Sequence, residues 1–454
     1  MKVLALSGPL ALAACGGNHS STPPPEPPPA PPPATSPDTL SYDTPRALYV
    51  TGESIAINRA QVTGGPVSSF AVSPALPNGL NLDAHSGAIT GTPTTLQREA
   101  GYVVTASRAG GSAQTPLRIT VTGRGAWTTV PTIPTPRHYA TLSRLPDGRQ
   151  LLAGGFSAGG PSDAADIYNP ATNTWSAAAP MLLSRSDPMA VVLGDGRVLV
   201  FGGEDAGLNA LAHAELYDPA ANTWTATGSM NHARVRPTAH RLSNGKVLVA
   251  GGYSRTGGPI SFLNTAEVYD PATGLWTVLP TPLSTARAQH AAQLLPGGTE
   301  LLILGGVNSS GFVTTAERYA VDGSATTPLA YGVSGNVHVS VRLDDGSVLV
   351  MSEGSTTARR FDPATSTWTT STMGATRSLP TMTLLVDGRV LLAGGSNLNT
   401  AEIYNPDHNV WTTAASMTSM RRSAAAALLD DGRVLLVSGF AGVAEVNATE
   451  VFAP

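Results

Sequence analysis

At 454 residues the chain exceeds what one hydrophobic core serves, so two or more folded units are expected. Charged residues make up 13%, about half the ordinary share for a soluble domain, and a formal net charge of -4 leaves no basic field to hold a phosphate backbone, which argues against nucleic acid as a partner. The single cysteine, Cys15, excludes internal disulfides and any cysteine-ligated zinc site.

Residues 1–15 begin with Met1 and Lys2, continue as an apolar run through Leu12, and end Leu12-Ala13-Ala14-Cys15, followed by Gly16. This resembles a bacterial lipoprotein signal with its lipobox, which implies cleavage before Cys15 and acylation of its thiol. Several acyl chains give lasting attachment, because each buried CH₂ contributes roughly 0.8 kcal/mol and one chain alone is marginal. Gly16 rather than aspartate after the cysteine is similar to Gram-negative sorting signals that release the protein to the outer membrane. The expected localisation is therefore exported and lipid-anchored at the outer membrane of a Gram-negative bacterium.

Residues 16–39 form a tether. From Pro23 to Pro37 the chain reads PPPEPPPAPPPATSP, which cannot pack a core and favours extended polyproline II, spanning roughly 45 Å at about 3.1 Å per residue.

Residues 40–123 show short alternating runs, SIAIN, SSFAVS, YVVTAS and LRITV, divided by Gly, Pro and Asn, the pattern of a small β-sandwich. The stretch FAVSPALPNGLNLDAHSGAITGTP, Phe70 to Pro93, resembles the immunoglobulin-like domains of bacterial surface proteins. Asp83 and His85 within it are read as a loop before the SGAITG turn, and this unit is assigned no site.

Residues 124–454 repeat. An apolar run, a turn such as Pro146-Asp147-Gly148-Arg149, a second run ending in paired glycines, and a segment such as ADIYNPATNTW recur along the chain. The paired glycines stand at 154–155, 202–203, 251–252, 305–306 and 394–395, and the third segment closes on Trp175, Trp224, Trp276, Trp368 and Trp411. These residues resemble kelch repeats, which implies a β-propeller of four-stranded blades. First hairpins number seven, so the expected fold is all-β: a seven-bladed kelch β-propeller preceded by a small immunoglobulin-like β-sandwich. The last repeat stops at Glu450-Val451-Phe452, its third strand, and the GAWTTVP segment around Trp127 is expected to supply the fourth. All six tryptophans sit at the repeat position, as packing residues between blades. The fourth blade has Tyr319 but no Asp-Pro and no Trp, and the fifth replaces the glycines with Ser352-Glu353.

Eight residues before the leucine that closes each first strand stands an arginine: Arg137, Arg185, Arg234, Arg287, Arg377 and Arg421, with Gly335 in blade five. The third strand opens on an acid: Asp166, Glu215, Glu267, Glu317, Glu402 and Glu450, with Arg359 in blade five. Loss of both from one blade predicts that they form ion pairs, bidentate where geometry permits, and that Arg359 finds a substitute such as Glu353. The residues after these arginines vary, as do those after the glycines, and variable loops on a rigid scaffold carry binding. The candidate mouth of the channel is His138, Tyr139, Phe156, Asp187, Glu204, Arg236, Tyr253, Gln289, His290, Asn336, Arg422 and Phe440.

Two functions compete. The first is a non-catalytic binding module, monomeric and anchored to the membrane through Cys15, that recognises a glycan or an envelope protein. The second is a carbohydrate-active enzyme of the kelch type, similar to sialic acid mutarotases or epimerases, with an arginine for the carboxylate and a carboxylate or histidine for proton transfer. A copper site like that of galactose oxidase needs a cysteine cross-linked to tyrosine, whereas Cys15 is committed to the anchor. The Asp-box of sialidases is absent, and His138, His240, His290 and His338 lie in different blades, so no metal, cofactor or catalytic residue is expected.

Overall fold

The computed structural model describes residues 39–123, 125–331, 339–442 and 444–454. Cys15, the lipobox and the proline-rich tether lie outside them.

The first unit is the sandwich. Its larger sheet runs in the order Arg46–Val50, Gly111–Thr122, Gln97–Arg108, Ser69–Ser73, with the first two strands parallel. Thr39–Tyr42 pairs with Ala60–Thr63, and Leu80–Leu82 with Ile89–Gly91. Leu40, Phe70, Ile89, Val104 and Ile119 meet in its core. Asp83 accepts bonds at Oδ1 from the backbone N–H groups of His85 and Ser86, so it braces the turn.

Among the described residues seven four-stranded sheets follow. The first runs outward as Thr141–Arg144, Gln150–Ala153, Ala165–Asn169 and Thr174–Ala177. The inner strands Thr141–Arg144, Met189–Val192, Thr238–Arg241, Ala291–Leu294, Val339–Arg342, Thr381–Leu384 and Ala425–Leu428 touch in that order, and the last touches the first. This is a closed seven-bladed β-propeller. In the last blade Thr449–Ala453 pairs with Ala126–Val130, so the strand that enters the ring completes the blade that ends it.

Local chemistry explains the repeat. The second strands are apolar runs because both their faces are covered, as in the buried Val198–Phe201 and Val247–Ala250, with a polar first residue only in Gln150–Ala153 and Glu300–Leu304. In the Leu145–Arg149 hairpin, Leu145 N–H donates to the Arg149 carbonyl at 2.8 Å and Gly148 takes φ 85°, a three-residue turn closed by a left-handed glycine. The Asp/Asn-Pro turn is braced likewise: Asn169 Oδ1 accepts from Ala171 N, and left-handed Asn173 receives the Tyr168 hydroxyl at 2.8 Å. Each tryptophan lies against the Tyr or Phe of its own third strand, with ring centroids 4.8–5.2 Å apart. Its indole N–H reaches the preceding blade, as from Trp224 to the Ala179 carbonyl at 2.7 Å and from Trp276 to that of Gly228 at 2.8 Å. The tryptophans are thus seam residues.

The sandwich docks on the face that carries the short hairpins. Arg98 reaches Asp344 at 2.9 Å, Arg46 reaches Asp407 at 3.0 Å, and Arg389 donates to the Gly123 carbonyl at 3.1 Å. Because strands alternate in direction, the connections between second and third strands emerge on the opposite face. They range from 251–265 in blade three down to 352–356 in blade five.

Candidate functional site

The display face is built on the buried arginines. Arg137 lies 2.7 Å from Asp166, Arg185 2.6 Å from Glu215, Arg234 2.8 Å from Glu267, Arg287 3.0 Å from Glu317, Arg377 2.9 Å from Glu402, and Arg421 2.6 Å from Glu450. The sequence did not reveal the rest of the joint. Arg234 Nη1 also donates to the carbonyls of Gly251 and Thr265, the two ends of the connection it supports, at 2.7 and 2.9 Å. Arg185, Arg287, Arg377 and Arg421 repeat this in their own blades. The second oxygen of the acid accepts a backbone N–H from the segment entering the blade: Leu182 for Glu215, Asn231 for Glu267, Ser284 for Glu317, Gly374 for Glu402 and Thr418 for Glu450. One arginine and one acid therefore fasten both ends of a variable loop and the incoming chain. Burial lowers the guanidinium pKa of Arg185, Arg234 and Arg421, and the facing carboxylate opposes that shift.

In blade five Arg359 holds the acid's position opposite Val350. It donates to the Tyr331 carbonyl at 3.4 Å, while Glu353 accepts from the Ser378 hydroxyl. An arginine in the acid's place thus faces a backbone carbonyl oxygen, which accepts its donor.

Two residues beyond each of these arginines the backbone turns left-handed without glycine: Tyr139, Asp187, Arg236, Gln289, Leu379 and Ser423 have φ between 51° and 55°. Such angles are uncommon for side-chain-bearing residues and persist where the surroundings impose them. Here neighbouring blades do so. Asp187 N–H donates to the Tyr139 carbonyl, Gln289 N–H to that of Arg236, and Ser423 N–H to that of Leu379, at 3.0–3.2 Å. These six residues, with Pro188, Thr238, His290, Val339 and Pro380 among others, line a cavity of about 450 Å³ at the channel mouth.

The mouth has three sectors. On blades two and three, Arg236 donates through Nε and Nη2 to Asp187 Oδ2 at 3.1 and 3.0 Å, and its guanidinium lies 4.8 Å from the Tyr139 ring centre. Burial works against the Arg236 charge, but Asp187 holds its pKa above the ordinary arginine range. Beside them the Tyr253 hydroxyl donates to Glu204 at 2.7 Å; burial and that bond raise its pKa. On blades seven and one, the His138 ring meets Tyr139, Phe440 and Phe156 at 4.7, 5.1 and 5.5 Å, and Arg422 lies over Phe440. Burial lowers the His138 pKa, helped by the charges of Arg422 and Arg236. On blades five and six the lining is aliphatic, from Val339, Leu379 and Pro380.

Four regions of the chain match the kelch motif: residues 151–182, 187–231, 236–283 and 383–418. The chain carries kelch repeats. Ahead of the kelch ring, residues 21–122 match a model described as "Putative Ig domain". Among curated proteins, the F-box protein AFR of Arabidopsis thaliana is 36% identical over 110 residues, which is 22% of this chain and 29% of that protein. Among solved structures, a novel fungal alcohol oxidase of the AA5 family in complex with copper superposes with a TM-score of 0.61 at 19% identity, over 73% of this chain and 76% of that one. At that identity the likeness concerns the kelch fold alone. Among the described residues no group of three or more His, Cys, Asp or Glu side chains is placed to hold a metal ion.

Of the candidate mouth residues, Tyr139, Asp187, Arg236, Gln289 and His290 line the kelch cavity. His138, Phe156, Glu204, Tyr253, Arg422 and Phe440 surround them on the rim. Asn336 lies outside the described residues. Leu379 and Ser423 were missed, although both stand two places after a repeat arginine, a signal as plain as that of Asp187. His240 lies behind the site on an inner strand, near His290, whose Nε2 is 3.0 Å from Thr238 Oγ1.

Proposed function

We propose that this protein is a non-catalytic recognition module of the cell envelope, lipid-anchored through Cys15, which captures a glycan or a protein at the mouth of its kelch ring. The observation that carries this reading is the convergence of six left-handed residues, one from each of six blades, on one cavity of about 450 Å³. That size is within the usual range for small-ligand sites, and the mixture of an ion pair, aromatic rings and aliphatic side chains suits specific but reversible binding. The placement of the sandwich supports display: it contacts the hairpin face, so a tether running back from Thr39 would leave the mouth directed away from the membrane.

The test is capture by the purified full-length protein on a glycan array and from host envelope extract, compared with Asp187→Asn and Arg236→Ala. Ligand retained by the native protein and lost in both variants, with unchanged circular dichroism, supports the mouth as the site. Capture that ignores both substitutions would place recognition elsewhere.

A further inference from the structure

We propose that the ligand held at the mouth carries a carboxylate and that Arg422 receives it, an inference that rests on the mouth being the binding site. The mouth holds two arginines. Arg236 is spent, since two of its nitrogens donate to Asp187 Oδ2 at 3.1 and 3.0 Å. Arg421, next in the chain to Arg422, is buried against Glu450. Arg422 has no ion pair among the described residues. Its backbone is fixed by exchanging hydrogen bonds with Phe440, N–H to carbonyl at 3.0 and 2.9 Å, and its guanidinium carbon lies 5.5 Å from the Phe440 ring centre.

A guanidinium laid on an aromatic face is held in one plane and has one side covered, which leaves its edge to present paired donors. A carboxylate is the planar acceptor that matches such an edge with two parallel bonds. Phosphate would also accept these bonds, but it brings more negative charge to a rim that already carries Asp187, Glu204 and Glu445, with Glu445 4.0 Å from His138 Nδ1. A carboxylate brings one negative charge where phosphate brings up to two, and it meets an arginine that has no ion pair among the described residues.

The rest of the ligand is constrained by what adjoins Arg422. Ser423 and Ala424 lead from it into the cavity, which continues over Leu379 and Pro380 to the Asp187–Arg236 pair. A body with one apolar side and several hydroxyls fits that lining. The ligand class is therefore a hydroxylated carboxylic acid about the size of one sugar ring, such as a uronic acid unit of a glycan.

The experiment uses full-length protein on an array of uronic-acid oligosaccharides printed beside their carboxyl-reduced counterparts, with native protein, Arg422→Gln, Arg422→Lys and Arg236→Ala compared at equal thermal midpoint. The expected result is retention of acidic members and a loss of at least about tenfold on carboxyl reduction or in Arg422→Gln, the scale of a charged hydrogen bond. Arg422→Lys should recover part of the binding. Equal binding of acidic and reduced members, no effect of Arg422→Gln, or no acidic member retained by the folded protein would overturn the proposal. Neutral members bound and then lost in Arg236→Ala would overturn the carboxylate while leaving the mouth as the site. Binding indifferent to both arginines would overturn the two together.

Discussion

Arg234 Nη2 donates to Glu267 Oε1 at 2.8 Å, and neither side chain is exposed to solvent. Burial raises the Glu267 carboxyl, but the charge of Arg234 and hydrogen bonds from Arg234 and Asn231 outweigh it and hold the group below the usual carboxylate range. Such a pair is not a large net gain over apolar packing, yet its halves are costly to separate. Glu267→Ala should therefore destabilise the ring by about 3–5 kcal/mol, measured by urea unfolding. The substitution also frees the backbone N–H groups of Asn231 and His232, so limited proteolysis should cut first in the segment that enters blade three. A loss below about 1 kcal/mol would show the pair to be dispensable.

The seam between blades three and four holds His240 and His290. Burial depresses both, to about 4 and about 3, and for His290 the charges of Arg287, His240 and Arg234 add to it. In the unfolded chain each would take a proton near pH 6.5. The folded form thus binds fewer protons between these values. Stability should be full above about pH 6.5 and fall as pH drops toward 3–4, by up to about 1.4 kcal/mol per pH unit for each histidine. His290→Gln, which removes one titration, should make that acid slope shallower in a series of thermal midpoints; an unchanged slope would exclude His290 as a source.

Ring closure depends on Ala126–Val130. Trp127 lies 5.1 Å from Phe452 and donates from its indole nitrogen to the Ala415 carbonyl at 2.8 Å. Trp127→Ala should cost about 3 kcal/mol, the lower end for a large aromatic because the residue is only partly buried. Hydrogen exchange should then quicken first in Thr449–Ala453, the partner strand, rather than evenly around the ring.

The left-handed mouth residues bear their own test. Ser423 has φ 52°. Ser423→Gly removes the conformational penalty and adds unfolded-chain entropy, effects of similar size, so stability should change by less than about 0.5 kcal/mol. Ser423→Val, β-branched at the same angle, should lose about 1–3 kcal/mol. Equal midpoints for the two variants would mean that the ring relaxes without cost.

Much of this architecture follows from the chain alone, for a local reason. Turn glycines, the Asp/Asn-Pro turn and the buried second strands do their work within one repeat, and each tryptophan packs on the Tyr or Phe of its own blade while bonding to the one before, so each leaves its mark at a fixed spacing. The arginine and the acid are legible on the same ground, since Arg185 and Glu215 belong to one blade and vary together. Tertiary structure decided what lies between blades. Asp187 and Arg236, or Thr238 and His290, come from different repeats and meet only because the ring closes, and no periodicity says which residue of one copy faces which residue of the next. The same holds for Leu379, whose role at the mouth comes from a left-handed backbone imposed by its neighbours rather than from its own chemistry. The setting of Arg422 is likewise a tertiary fact: among the described residues it has no ion pair, and it meets Phe440 from the hairpin that also brings Glu445 to 4.0 Å from His138.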